Sequence, residues 1–290
     1  MPSHNRTHVY FQTAKSAQQC FICGGTTHGH ITENGCSIFR CELCGSGITR
    51  RIKSESHLYE QHYLDYLGKP ACLWINEIFT LRERVRRIQQ HKSAGTILDF
   101  GCGPGNTLAQ FDSQRWKRFG IDISNASCQM AREKGLCVEC ADLERANYLD
   151  NSFDVIMANH VLEHLDEPEA ALKKMVRLLR SGGVLYIEVP NFNSVGSEAF
   201  KGKWPGIDIA HHNYHFTKSS MKQMLERNDL TILKDSTPRM KDLFFSLFLG
   251  RLMVRDYPET KACYFLNIPR IVLSLLRGRS EMLVYICRKQ

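Results

Sequence analysis

No stretch of the chain reaches the ~18 uninterrupted apolar residues that a membrane-spanning helix needs. Met1 to Cys20 is polar and lacks the apolar block of a secretory leader. That absence changes how the twelve cysteines are read. In a secreted chain they would suggest disulfides, whereas here a reduced, cytoplasmic setting and metal ligation are expected. Acidic residues are also in short supply: 38 Lys and Arg stand against 30 Asp and Glu, a net charge of +8. The excess is uneven. Residues 1–56 carry +3, 57–92 carry +2, 93–236 carry −3 and 237–290 carry +6, so the positive charge belongs to pieces added at each end. A hydrophobic content of 43% over 290 residues is ample for one large domain with a small module and appendages.

The acidic middle holds the stretch around which the chain is organised, Thr96-Ile-Leu-Asp99-Phe-Gly101-Cys-Gly103-Pro-Gly105. A short apolar run ends in a carboxylate, three alternate glycines follow, and Asn106 to Phe111 reads as a helix start. Missing side chains permit a tight turn, and a helix N-terminus offers unpaired N–H groups. About 20 residues on, a second strand should end in an acid that grips two ribose hydroxyls. Phe119-Gly120-Ile121-Asp122 supplies one. The dinucleotide pattern GxGxxG is absent, because its third small residue would fall on Asn106.

LDFGCGPG instead closely resembles the first motif of class I S-adenosylmethionine-dependent methyltransferases. The resemblance runs from Ile97 to about Leu233. It takes in GIDIS at the second strand, CADLE around Asp142, FDVIMANHVLEHL from Phe153 and LLRSGGVLYIEVPN from Leu178. It implies an α/β fold: a Rossmann-like seven-stranded sheet in the order 3-2-1-4-5-7-6, with ligands at the carboxyl ends of the strands. It also implies site roles. Gly101, Gly103 and Gly105 form the donor cradle, and Asp99 helps hold the methionine end. Asp122 takes the ribose hydroxyls, with Ile123 against the adenine. Asp142 accepts the adenine amino group beside Leu143, unless it only caps a helix. Asn159 offers a carbonyl to the methionine ammonium.

In chain order, the first clear feature is Cys20-Phe-Ile-Cys23, then seventeen residues, then Cys41-Glu-Leu-Cys44. Each pair is followed by a glycine, Gly24 or Gly45, and the spacing fits a zinc ribbon over residues 1–56. Cys36, His28 or His30 could stand in for a ligand, but four thiolates suffice. A closed four-thiolate site is expected to be structural. Residues 57–92 read as a helical linker, with Trp74, Ile75, Ile78, Phe79, Val85 and Ile88 at three-to-four spacing. Arg82, Arg84, Arg86 and Arg87 then form a solvated basic face, and Tyr59, Tyr63 and Tyr66 are candidates for a lid.

The core, 93–236, alternates strand and helix. Its strands are expected to end at Asp99 and to span Arg118–Ile123, Leu136–Cys140, Asp154–Ala158, Val184–Val189 and Thr231–Lys234. Helices are expected from a Ser124 cap to Gly135, over Pro168–Leu179 and over Thr217–Asn228. The last strand is Met282 to Cys287, within 281–290. The intervening insertion, 237–280, reads as two basic amphipathic helices, Leu243–Val254 and Ile268–Leu276. They could roof the acceptor site, form a homodimer face, or rest on an anionic membrane surface.

An in-line displacement on an activated methyl needs alignment, plus a base where the acceptor carries a proton. Two clusters hold candidates: His160 just after the fourth core strand, and His211, His212, Tyr214 and His215 after the fifth. His164 reads as a surface residue. The Asn/Asp-Pro-Pro-Tyr/Phe motif of adenine-base methylating enzymes is missing, since Asn159 is followed by His160-Val161-Leu162. Ribbon, tyrosine-rich linker, core and the HHNYHFT segment together resemble a group that modifies sugars, polysaccharide precursors or secondary metabolites. A small-molecule acceptor is therefore expected. The rivals are an RNA acceptor, favoured by net charge but disfavoured by only six basic residues before position 57, and a non-catalytic donor-binding regulator or scaffold.

Overall fold

The computed structural model describes residues 18–33, 36–51, 72–142, 145–204, 206–236, 269 and 280–290. The expected tyrosine cluster, Leu143 and both helices of the 237–280 insertion lie outside the described residues, apart from Pro269. Among the described residues no helix is long and apolar enough to cross a membrane.

Two sheets organise the chain. The larger is built from β5 (Gly95–Phe100), β6 (Trp116–Asp122), β7 (Cys137–Cys140), β8 (Phe153–Asn159), β9 (Leu179–Pro190), β11 (Leu230–Ser236) and β12 (Met282–Lys289), in the order β11-β12-β9-β8-β5-β6-β7. In core numbering this is 3-2-1-4-5-7-6, as the resemblance implies. β12 runs antiparallel between β9 and β11, and the other neighbours are parallel. The central strands are near-continuous apolar runs because both faces are covered. Ile97, Leu98, Val155, Ile156, Met157, Leu185 and Ile187 are all fully buried.

The helices follow their caps. α2 (Asn125–Glu133) starts where the Ser124 hydroxyl accepts the Ser127 N–H, and α3 (Pro168–Leu178) starts on a proline that needs no donor. The short α4 (Val195–Phe200) is capped by Ser194. α5 (Lys218–Glu226) begins with a reciprocal box between Thr217 and Ser220. One local expectation is corrected. Asn106 to Phe111 forms only a three-residue turn of 3-10 helix at Leu108–Gln110. Phe111 leaves it in an extended conformation and packs edge-on against Trp116, 5.2 Å between ring centres.

α1 (Cys72–Gln89) lies ahead of β5, and its arginines do not form a wholly solvated face as expected. Arg84 is part-buried and donates twice to Glu188 on β9, Nε to Oε2 at 2.9 Å and Nη2 to Oε1 at 3.0 Å. Tyr186 donates its hydroxyl to the same carboxylate at 2.8 Å. The guanidinium holds the Glu188 carboxyl well below its usual range despite burial. Removing one partner would strand a buried charge, a loss of about 3–5 kcal/mol. Arg84→Ala should therefore lower the urea-derived stability by that amount, and the double variant Arg84→Met/Glu188→Leu should recover most of it. Equal stability of Arg84→Ala and wild type would contradict the pairing.

The smaller sheet contains β1 (Gln18–Gln19), β2 (Thr26–Glu33), β3 (Cys36–Cys41) and β4 (Gly47–Arg51), and its fifth strand comes from far along the chain. β10 (Tyr214–His215) pairs antiparallel with β4, Tyr214 opposite Ile48 and His215 opposite Gly47. The two sheets share one apolar cluster in which Cys20, Ile22, Cys41 and Cys44 pack with Phe216, Met221, Leu225 and the core strands.

Candidate active site

The glycine turn after β5 has the backbone its residues permit. Gly101, Gly103 and Gly105 all have positive φ, at 70°, 52° and 74°. A Cβ on Gly101 would come within 2.4 Å of Val161 Cγ2, and one on Gly105 within 2.3 Å of Leu136 Cδ1. Beneath the turn Asp122, at the end of β6, accepts the Gly103 N–H at 2.8 Å and the Ser124 N–H at 2.9 Å. The next residue, Ile123, is 65% exposed, an apolar face left open beside the cradle. Asp99 is 2% exposed, and its Oδ1 has no hydrogen-bond partner among the described residues. The same holds for Asn159 Oδ1 at the end of β8. Burial raises the pKa of both Asp99 and Asp122, against the nearby Arg84 for the former and N–H donors for the latter. Unsatisfied buried acceptors are rare in folded proteins and point to an absent partner. Asp142 lies at an exposed turn where its carbonyl accepts the N–H groups of Arg145 and Ala146.

Across the carboxyl ends of β8 and β9 stands a group of histidines. His160 has a positive φ of 55°, and its N–H is held by the Glu188 carbonyl at 2.9 Å. Its Nδ1 lies 3.2 Å from Glu163 Oε1 and its Nε2 3.9 Å from Glu188 Oε1, while 40% of the side chain stays exposed. Glu163 is 1% exposed. Its carbonyl accepts the N–H groups of both Asn213 and Tyr214, at 2.7 and 3.1 Å. The Asn213 side chain donates to the His164 carbonyl at 2.8 Å. These bonds fasten the segment after β8 to the segment carrying His211 to His215.

The fastening corrects the expectation for His164, which is not a surface residue. Its ring packs edge-on against that of His212, 4.6 Å between centres. Burial lowers the pKa of both imidazoles, of His212 markedly, which favours their neutral forms. His211 Nδ1 lies 2.8 Å from Asp208 Oδ1. Tyr214 donates its hydroxyl to the Asp166 carbonyl at 2.8 Å and packs on Phe21, 4.2 Å between ring centres. His215 turns toward the small sheet, its Nε2 2.7 Å from Thr49 Oγ1. Among the expected histidine bases, His160 has the most exposed side chain.

In the small sheet the Sγ atoms of Cys20, Cys23, Cys41 and Cys44 lie within 4.8 Å of one another. Cys20 and Cys44 are 3.6 Å apart, and Cys23 and Cys41 3.4 Å. These separations are far beyond a disulfide bond. They are close to the roughly 3.8 Å edge of a tetrahedron with 2.3 Å metal–sulfur arms. Gly24 and Gly45 take the left-handed conformation after each pair, at φ of 73° and 72°. The Cys44 thiol lowers the pKa of Cys20, which favours the thiolate, the form that ligates metal. Ser46 Oγ touches both Cys20 and Cys44, at 3.2 and 3.0 Å, an outer contact that the spacing of cysteines does not disclose. Of the substitute ligands considered from sequence, His28 pairs with Glu42 on an exposed surface and stands outside this cluster.

The profile of a methyltransferase domain matches residues 73–235, more than half the chain. The chain belongs to the methyltransferase-domain family. Among curated proteins it is 36% identical over 118 residues to a trans-aconitate 2-methyltransferase from an Azoarcus species, covering 39% of this chain and 46% of that one. It is 31% identical over 106 residues to a ubiquinone biosynthesis O-methyltransferase from Pseudomonas paraeruginosa, covering 34% of this chain and 45% of that one. The chain thus spans about half the length of these relatives. Among solved structures, the geranyl diphosphate C-methyltransferase from Streptomyces coelicolor aligns with a TM-score of 0.55 and 12% identity, over 82% of this chain and 88% of that one. That likeness concerns the fold. Within the methyltransferase domain, the expected cradle residues Asp99, Gly101, Gly103, Gly105, Asp122, Ile123 and Asn159 gather at one end of the sheet. Sequence reasoning passed over Arg84 and Glu188 as a pair, since 104 residues separate them.

Proposed function

We propose that this methyltransferase transfers a methyl group from S-adenosylmethionine to a small-molecule acceptor, a sugar, polysaccharide precursor or secondary metabolite. The observation that carries the reading is the cradle itself. A three-glycine turn lies over Asp99 and Asp122, and two buried acceptor atoms lack partners among the described residues at the carboxyl end of the sheet, where His160 stands part-exposed. Asp99 and Asn159 would hold the methionine end, Asp122 the ribose and Ile123 the adenine face. Asp142 would reach the adenine amino group. S-adenosylmethionine, when bound, supplies a methyl group activated by positive sulfur. His160 accepts the acceptor's proton, oriented by the two carboxylates of Glu163 and Glu188. The relatives named for trans-aconitate and ubiquinone biosynthesis support an acceptor of low mass. The four cysteines hold structural zinc, since a closed four-thiolate site leaves no position for a reacting group.

Incubating the protein with methyl-labelled donor and fractionated host extract tests the acceptor. Label in low-mass material supports the proposal, and label confined to RNA or protein refutes it. Donor at a hundred times its dissociation constant should stabilise the fold by roughly 2.7 kcal/mol. The melting midpoint then rises by about 5–10 °C. A shift with nicotinamide dinucleotides and none with the sulfonium donor would remove the reading altogether.

Asp99 predicts a pH dependence. Its folded pKa is raised by burial, so the stability it contributes is present below the ordinary aspartate value and is lost as pH rises through the folded value. The donor's ammonium group favours the ionised form. Donor affinity should therefore strengthen with pH across that window, and Asp99→Asn should flatten the dependence. Calorimetric titration at several pH values measures it; a wild-type affinity independent of pH contradicts it.

A further inference from the structure

The histidine group contains more than a base needs. One carboxylate oxygen of Glu163 and one ring nitrogen each of His164 and His212 lie within 4.8 Å of one another. The cluster is distinct from the four cysteines in ligand chemistry: imidazole and carboxylate in place of thiolate. Glu163 is almost fully buried, and its Oε2 has no hydrogen-bond partner among the described residues. A buried carboxylate with one oxygen left unpartnered is costly, and a cation beside that oxygen is the simplest compensation. The backbone around it is already fixed. Both N–H groups on the Glu163 carbonyl and the Asn213 bond to the His164 carbonyl hold the two ligand-bearing segments in register. His160 Nδ1 meets the other carboxylate oxygen, the outer support that metal-binding carboxylates usually have.

We propose that Glu163, His164 and His212 form a site for a divalent first-row transition-metal ion. Two imidazoles and one carboxylate suit such ions, whereas calcium and magnesium prefer oxygen throughout. Metal–ligand arms of about 2.1 Å bring donor atoms to roughly 3–3.5 Å from one another, so closing the site takes a contraction of about an ångström in side chains already adjacent. Three protein ligands leave coordination positions for water or for an acceptor's oxygens. This deepens the methyl-transfer reading by favouring an oxygen-bearing acceptor, and the ion's binding can be measured with neither donor nor acceptor present.

The experiment uses the whole chain with its cysteine cluster already filled by zinc. Titration with Mn²⁺, followed by the electron paramagnetic resonance of the free ion, should show one further ion bound per chain. Co²⁺ should compete for it and give the weak visible bands of nitrogen and oxygen ligation, with no thiolate charge-transfer band. Loss of outer supports alone costs metal sites 10–100-fold, so His212→Gln and Glu163→Gln should each weaken binding by about a hundredfold or more. A donor-induced melting shift like that of wild type shows that each variant is folded. If a variant fails that control, His164→Gln, judged in the same way, replaces it. Zinc-filled wild type that binds no further Mn²⁺ or Co²⁺ overturns the site, as does a folded His212→Gln variant with undiminished affinity. Loss of the ion with an intact donor shift bears on the metal alone, whereas absence of any donor shift in wild type bears on the methyl-transfer reading.

Discussion

Removing the zinc proposed for the four-cysteine cluster, or replacing Cys41 with serine, should abolish the proposed methyl transfer while donor binding survives. Structural zinc contributes on the order of 10 kcal/mol to folding a small module, so its loss should unfold the small sheet. That sheet is joined to the acceptor side of the site. β4 pairs with the Tyr214–His215 strand, and the Thr49 N–H donates to the Asn213 carbonyl at 2.9 Å. The Thr217 hydroxyl donates to the Cys44 carbonyl at 2.6 Å, and Arg227 donates to the Ile22 carbonyl. Unfolding it removes the support under the segment that carries His211 to His215. The glycine turn proposed as the donor cradle instead stands on β5 and β6, which pair with each other and with other core strands. The expected result is metal content falling by one zinc per chain, label transfer falling to background, and a donor-induced melting shift that persists. Full label transfer by metal-free protein would show that the ribbon and the acceptor side are uncoupled.

Gly101→Ala should remove donor binding with little else. At φ of 70° an added Cβ is strained, and it would also come within 2.4 Å of Val161 Cγ2. Relieving that clash moves either the turn that receives the donor or the segment leading to Glu163. Asp122→Ala attacks the same function from below, by removing the acceptor for the Gly103 N–H and the group that would take the ribose hydroxyls. For each variant the roughly 2.7 kcal/mol of donor stabilisation expected at a hundredfold excess should shrink to a small fraction. A donor shift equal to that of wild type in both variants would place the donor elsewhere. Gly101→Ala with Val161→Ala should recover part of the loss, because the second change removes the clashing methyl.

The glycine turn proposed as the donor cradle was legible in the sequence because every part of it is local. The Ile97-Leu98 run makes a strand buried on both faces, the alternate glycines make a turn, and an acid ends the next strand. The Ser124 and Thr217 caps and the Cys20/Cys23 and Cys41/Cys44 spacing are local in the same way. Where one local signal was over-read, as at Asn106 to Phe111, the cause was tertiary. Phe111 is drawn against Trp116, and the chain abandons the helix it began.

By itself, then, the sequence determined the strands, the caps, the glycine turn and the cysteine pairs. Backbone preference and side-chain period are written within a few neighbouring residues. Only the tertiary structure decided which distant groups meet. Tyr214 and His215 show no signal of belonging to a sheet whose other strands end more than a hundred and fifty residues earlier, yet they complete it because β4 offers an open edge. Arg84 reads as one basic residue among four until β9 brings Glu188 to it. Glu163, His164 and His212 become a single cluster only because the Asn213 and Tyr214 N–H groups close on the Glu163 carbonyl. Such encounters depend on where the folded sheets place each loop, and no window of sequence contains that placement.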